Sequence, residues 1–384
     1  MLELPELDTV FPANEPKSLA RFWRRYWGMF FLLLPWMLIR QFGITLYQGL
    51  GAIWTWNRSY MLIPGKLKLI GFSNLRACLL TAVFGERFTL IHDRDVLIDP
   101  GPVFARRQLR RYLASLKAPV AAIVATHAHE EHIGNAGPAA ELLKVPIYGS
   151  ADTLAALRSP ERLSWPRRFF IGQPQAVAAA TLRLLGSSLE TPLGHWQVIP
   201  SPGHCEGHAS LYDPELGLLF AGDSFLHTVF TSPNRDVSAA EWISTLEAYL
   251  QLEIRTMIGT HGLVYTIDPA LRSRLFIVRR QDPKALIADK LRFMEWAQAV
   301  VREGERRGLP YPVIEACLFP WRYGWSWENW FGDEAGRLFS AGEFSRTHFV
   351  RSLSDQPERV PPRFPVWARL LRDKRRKEIS DVPR

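Results

Sequence analysis

The chain has 384 residues, 47% of them hydrophobic and 22% charged, the balance of a globular protein with one large or two modest domains and ample material for a core. Three widely spaced cysteines, Cys78, Cys205 and Cys317, exclude a disulfide framework and suit a reducing cytoplasm. The formal charge of +9 is unevenly spread: Arg106, Arg107, Arg110 and Arg111 read as a solvated helix face, while Arg369 to Lys377 is equally open to an anionic membrane surface or an anionic substrate.

Residues 1–21 are polar and proline-punctuated, which predicts a loosely held lead. An uncharged run follows from Tyr26 to Ile39; its 14 residues, with Pro35 among them, fall short of the roughly 20 needed to span a bilayer. Beyond Arg40 the apolar character continues to Trp56, so that the 31 residues 26–56 hold one charge. No small-residue cleavage site follows, and 25 residues precede the run, unlike an ordinary signal peptide. Three readings stand, in this order of preference. The first is an interfacial anchor through 22–56, with Trp and Tyr at the headgroup level and Arg24 and Arg25 on anionic lipid. The second is an arm buried against the following domain or a second subunit, and the third a kinked spanning helix.

From residue 61 short apolar runs alternate with amphipathic segments. Ala77–Phe84 and Arg87–His92 are predicted as two strands joined at Gly85-Glu86, and Val96–Ile98 as a third, ending in Asp99-Pro100-Gly101. Arg106–Leu116 is an amphipathic helix, Ala121–Ala125 a buried strand, and Ala136–Lys144 a helix. Between the last two lies Thr126-His127-Ala128-His129-Glu130-Glu131-His132. Four candidate metal ligands thus leave one strand end together. His127 and His129, two apart, share a side in extended backbone, and Glu131 and His132 approach where the chain turns into the helix. Imidazole with carboxylate suits zinc, iron or manganese.

Residues 158–193 are rich in Pro, Arg and aromatics and carry no ligand motif; a substrate-groove rim and an ordinary surface excursion are both open. Three further motifs each follow an apolar run: Ser201-Pro202-Gly203-His204 after Trp196–Ile199, Ala221-Gly222-Asp223 after Leu218–Phe220, and Gly259-Thr260-His261 after Ile254–Ile258. Ser238 to Glu241 matches a capping box opening a helix through Leu250. Asp282-Pro283 is an N-cap and N1 pair for a helix to about Arg307. Pro320 to Trp330 is tryptophan-rich, and Gly342 to His348 reads as a turn opening another helix.

These four motifs, in order and at this spacing over residues 61–265, make the chain similar to the metallo-β-lactamase superfamily: His-x-His-x-Asp-His, a Pro-Gly-His turn, Gly-Asp, and a last His. The resemblance implies an α/β fold, an αββα sandwich of two mixed β-sheets with outer helices, and a site along one sandwich edge. It divides the chain into an N-terminal arm 1–60, a catalytic domain 61–265 and a mostly helical extension 266–384. By the same resemblance one metal falls to His127, His129 and His204, a second to Glu131, His132 and His261, and Asp223 bridges them. Asp99 and His208 would brace this set without ligating, and Cys205 would be a small packing residue. Two divalent ions, zinc first and iron or manganese next, would generate a hydroxide that attacks a small acyl compound, a thioester, lactone or ester, with Glu131 and Asp223 as the catalytic carboxylates.

Glu131 departs from the pattern, which has Asp there. Its extra methylene moves the carboxylate by about one C–C bond, so the second site is weaker, selects another metal, or frees Glu131 for proton transfer. Asp223, absent from the true β-lactamases, speaks against antibiotic hydrolysis, and His129 against the flavodiiron proteins. The set is closest to glyoxalase II thioesterases, lactonases and phosphodiesterases. Only 37 residues separate Asp223 from His261, which leaves no room for the inserted domain of the nucleic-acid-cutting branch and ranks nucleic acid low as a partner. The alternatives are a phosphodiesterase of the same fold and a non-catalytic binding protein retaining it. A homodimer and contact of an amphiphilic substrate with the inner membrane face are compatible with the apolar N-terminal segment.

Overall fold

The computed structural model describes residues 2–11, 35, 39, 42–51, 53, 58–63, 65–84, 87–229, 231–271, 277–318, 340 and 342–357. The tryptophan-rich stretch, the basic C-terminal cluster and much of 22–56 lie outside them. The chain divides into two compact units: residues 1–3, 39–230 and 238–295 form the first, and residues 4–38, 231–237 and 296–384 the second.

Described strands of the first unit form two mixed seven-stranded sheets. One runs in sequence order through β1 (Ser59–Ile63), β2 (Leu67–Phe72), β3 (Phe88–Asp93), β4 (Val96–Ile98), β5 (Ala122–Val124), β6 (Ile147–Gly149) and β7 (Leu182–Leu184). The other runs through β8 (Ser188–Thr191), β9 (Gly194–Pro200), β10 (Ala209–Asp213), β11 (Leu218–Gly222), β12 (Thr256–Gly259), β13 (Val264–Thr266) and β14 (Val278–Arg279). Strands of continuous apolar sequence such as β4 and β11 are buried along their whole length, as expected where a sheet is covered on both faces. Between the sheets Leu67, Ile91 and Val124 of one meet Trp196, Leu211 and Phe220 of the other. Each such side chain contributes about 1.5–3 kcal/mol on burial.

One polar knot joins the two layers. Trp196 Nε1 donates to Asp93 Oδ2 at 2.9 Å, and the Arg94 guanidinium reaches Asp93 at 2.8 Å and Asp213 at 2.5 Å. The same guanidinium lies 4.3 Å over the Trp196 ring. Burial raises the Asp93 carboxyl, and the bonds from Arg94 oppose that.

Strand direction gathers the motifs at one edge. β4 and β5 are parallel, as are β11 and β12, and β9 shares the direction of β11 through two antiparallel pairings with β10. The C-terminal ends of these five strands lead into Asp99, His127, His204, Asp223 and His261.

The helix Ala239–Leu250 buries Trp242, Leu246 and Tyr249 at helical spacing, and the Ser238 hydroxyl caps the Glu241 N–H. The helix Pro283–Arg306 opens where expected, with Asp282 Oδ1 accepting from Lys284 N at 2.9 Å.

Two expectations are overturned. Leu75–Phe84 is a helix, not a strand: Asn74 Oδ1 accepts the Ala77 N–H at 2.8 Å and starts the first turn. Its largely apolar sequence carries neither period, so the cap decides. The lead is also not loose in its described part. Val10 and Phe11 are buried in the second unit, where Trp296 Nε1 donates to the Pro5 carbonyl at 2.9 Å and Arg307 lies 4.7 Å over the Phe11 ring. That unit is helical around them, with Tyr311–Leu318 and Arg346–Leu353, and Ser345 N donates to the Pro233 carbonyl at 2.8 Å. Among the described residues no helix is long and apolar enough to cross a membrane.

Candidate metal centre

Beyond β5 the chain stays extended through His127 and His129, then turns into the short helix Glu130–Ile133 that presents Glu131 and His132. The loop at Gly101 fixes this turn. Gly101 N donates to the His132 carbonyl at 2.9 Å, and Asn135 N to the Gly101 carbonyl at 3.0 Å. Arg167 closes a fork on Glu130, with Nε to Oε1 at 2.6 Å and the second nitrogen to Oε2 at 2.5 Å, both side chains buried. Segment 158–193 therefore touches the ligand helix through Arg167.

Glycine makes two approaches possible. At Gly203, φ +121°, a Cβ would sit 2.4 Å from the Trp242 backbone; at Gly222, φ +55°, it would meet His208 Nε2 at 2.3 Å. Any side chain at either position would push the turns carrying His204 and Asp223 off their supports.

All seven predicted ligands lie together in the first unit. Four imidazole nitrogens converge on one oxygen: Asp223 Oδ2 lies 3.2 Å from His261 Nε2, 3.5 Å from His132 Nε2, 3.6 Å from His204 Nε2 and 3.9 Å from His127 Nε2. His129 Nδ1 is 3.0 Å from His127 Nε2 and 3.4 Å from His204 Nε2. Glu131 Oε1 stands 4.0 Å from His129 Nδ1 and 3.9 Å from His132 Nε2. Ligand atoms of His127, His129, His204 and Cys205 fall within 4.8 Å of one another, as do those of His127, His132 and Asp223. Cys205, expected as a packing residue, thus places its sulfur among the ring nitrogens of one group.

The surrounding hydrogen bonds set which nitrogen faces inward. Thr126 donates to Asp99 twice, from N to Oδ1 at 2.9 Å and from Oγ1 to Oδ2 at 2.7 Å. With its proton so committed, Thr126 Oγ1 accepts from His127 Nδ1 at 2.9 Å, leaving the Nε2 lone pair aimed at the cluster. His261 Nδ1 likewise donates to the Arg87 carbonyl at 2.9 Å. His208 accepts the Asp223 N–H on Nε2 at 3.1 Å, so its Nδ1 donates to Ser201 Oγ at 2.8 Å. It braces the turns and stays neutral, since burial pushes it down to about 3. Asp99 stands 3.9 Å from His132 Nδ1.

Burial holds His127 and His204 well below the ordinary imidazole value, in their neutral, metal-binding form. Burial also acts to raise Asp223, but His261 and His132 outweigh it and keep the carboxyl well below the usual range. A carboxylate oxygen cannot hydrogen-bond four rings, and inward lone pairs on buried nitrogens repel one another. A cation resolves both, so the donor set fits divalent metals with N and O ligands.

Other supporting residues escaped sequence reasoning. Thr260 Oγ1 donates to Asp223 Oδ1, and Trp242 lies edge-on to His204 with ring centroids 5.8 Å apart and donates Nε1 to the Ser224 carbonyl at 2.8 Å. A signal existed for the hydroxyls: a threonine directly precedes a ligand histidine in both Thr126-His127 and Thr260-His261.

Residues 88–261 match the model of the metallo-beta-lactamase superfamily. The chain is similar to the hydroxyacylglutathione hydrolase of Idiomarina loihiensis, 26% identical over 132 residues, 34% of this chain and 42% of that protein. It is similar also to the hydroxyacylglutathione hydrolase of Thermosynechococcus vestitus, 28% identical over 155 residues, 38% of this chain and 51% of that protein. The chain spans about half the length of the curated relatives it matches. Among solved structures it resembles a beta-lactamase domain protein from Burkholderia ambifaria with a TM-score of 0.49 and 16% identity, over 73% of this chain and 89% of that one.

Proposed function

Because residues 88–261 match the model of the metallo-beta-lactamase superfamily, we propose that the chain is a metal-dependent hydrolase cleaving a small acyl compound, a thioester, lactone or ester. One observation carries the reading: four imidazole nitrogens within 3.9 Å of Asp223 Oδ2, two of them locked in the inward-facing tautomer. The name of the two relatives favours a thioester among the three.

His127, His129 and His204 would hold one ion, His132, Glu131 and His261 a second, and Asp223 would lie between them. Zinc is the first expectation for this set, iron or manganese the next. Bound there, divalent metal lowers the pKa of water to near 7 and polarises a carbonyl. The chain's own residues do the rest. Thr126 and Asp99 hold the His127 ring, and the Arg87 carbonyl holds that of His261. Glu131 and His129 keep some solvent exposure where most of the cluster is sealed, which supports Glu131 as the group that would take a proton from attacking water. The new C–O bond forms as the C–S or C–O bond to the leaving group breaks, and Glu131 returns the proton to that group.

The test is turnover of acyl thioester, lactone and phosphodiester substrates by purified chain, with elemental analysis of wild type and Glu131→Asp. Thioester turnover lost to chelator, restored by zinc and lowered about 100-fold or more by Asp223→Ala is the expected result. Two metal equivalents in both proteins support the dinuclear assignment. One in wild type and two in the variant would mean that Glu131 leaves the second site empty. No metal in either, or phosphodiester turnover alone, would sink the reading.

A further inference from the structure

An apolar stripe runs along the helical residues 42–51. Ile39, Phe42, Leu46, Leu50 and Ile53 recur at spacings of three and four and are 53–72% exposed. One flank of this helix is packed: a side-chain carbon at Gly49 would lie 3.9 Å from Ala82 Cβ, against the helix Leu75–Phe84. That second helix adds Leu75 and Leu79, one turn apart and 74% and 55% exposed. Arg76 carries the surface onward to the helix Trp165–Phe170, its guanidinium 4.0 Å over the Phe169 ring and donating to the Phe169 carbonyl at 2.9 Å. Trp165 and Phe169 are themselves exposed, at 66% and 49%. Scattered single apolar residues are ordinary on a protein surface; a run of them across three adjoining helices is not.

Charge selects the partner. From Pro16 to Gly85 the sequence holds nine Lys and Arg and no Asp or Glu. A second copy of this chain would bring those cations against their own kind. A bilayer with anionic headgroups offers the complement to both features, hydrocarbon for the stripe and negative charge for its flanks. Exposed Trp165 and Tyr47 have the amphipathic rings that settle at the headgroup level.

We propose that this face docks the protein on an anionic lipid bilayer, lying in the interface without spanning it. Arg167 sits on the same helix as Trp165 and Phe169 and holds Glu130, the neighbour of Glu131, so docking sets the ligand helix beside the lipid surface. The proposal stands apart from the hydrolase reading, and its test involves no turnover.

Purified full chain is sedimented with vesicles of phosphatidylcholine alone and with a third of phosphatidylglycerol, at low and high salt. Expected is binding about tenfold or more stronger to the anionic vesicles, weakened by salt. Leu46→Glu with Leu50→Glu should lower it by at least another ~10-fold. Leu75→Ser with Leu79→Ser, milder and on another helix, should lower it several-fold while circular dichroism stays unchanged, which keeps the test open if the first variant fails to fold. Equal binding to both vesicle types, no binding, or folded variants that bind like wild type would overturn the proposal. So would a wild-type dimer in light scattering that these substitutions split, which would assign the face to a second copy.

Discussion

Asp223 is the residue on which the site turns. Its Oδ2 faces four rings while Thr260 takes Oδ1 and the backbone N–H is anchored on His208, so the carboxylate has no freedom to turn away. Its neighbour Asp99 acts at one remove, through the two bonds that make Thr126 an acceptor for His127. Removing that carboxylate in Asp99→Ala frees the Thr126 hydroxyl to rotate and His127 to adopt the wrong tautomer. The expected outcome is a 10–100-fold loss of metal affinity with the fold kept, measured by competition with a chromogenic chelator. Unchanged affinity would remove Asp99 from the account. The candidate ligands were legible in the sequence because their spacing is local; Thr126 and Thr260 were adjacent to them yet silent, since a hydroxyl's partner is decided across the fold.

At the scale of elements, the site depends on a four-residue helix too short to persist by itself. Glu130–Ile133 is held by the Gly101 loop and by the Glu130–Arg167 fork. Glu130→Ala would strip a buried guanidinium of both bonds of the fork, at a cost of about 3 kcal/mol. The double variant Glu130→Ala/Arg167→Met should recover part of this, and thermal melts of the three proteins give the coupling. A double variant no more stable than Glu130→Ala would mean the fork does not act as a pair. Sequence reasoning saw Arg167 only as part of an Arg- and aromatic-rich excursion, because its partner lies 37 residues away. The misread strand at Leu75–Phe84 has the same origin: local apolarity is shared by strand and helix, and one Asn side chain breaks the tie.

Across the first unit as a whole, Lys290 is one of the groups that tie stability to pH. It is fully buried in the helix Pro283–Arg306, with Nζ 4.3 Å from the Trp242 ring centroid and donating to the His227 carbonyl at 3.3 Å. Burial brings it down from 10.5 to about 7. His227, the titratable ring beside it, is itself pushed down to about 4, by burial first and then by Lys290 and Arg279. Between about pH 7 and 10.5 the unfolded chain keeps a proton that folded Lys290 has released, so stability rises with pH across that window. Lys290→Met should lose this rise and be more stable than wild type at pH 7 by on the order of 2 kcal/mol. Urea unfolding at pH 7 and pH 10 checks both statements; parallel pH dependence in the two proteins would refute them.

Four short motifs, each closing an apolar run, were enough to read off a resemblance to the superfamily whose model residues 88–261 match, seven side chains that the fold brings together, and the α/β sandwich class, because a sandwich edge demands that strands deliver such side chains. The caps at Ser238 and Asp282 were equally legible, being satisfied within three residues. Only the tertiary structure decided which nitrogens face inward, that Cys205 joins the ring nitrogens, and that Arg167 supports the ligand helix. It alone showed that Lys290 is buried and that the stripe from Phe42 to Leu50 stays exposed beside Leu75 and Phe169. Each of these depends on pairing between segments distant in sequence, and such pairing leaves no period, spacing or composition by which the chain alone could announce it.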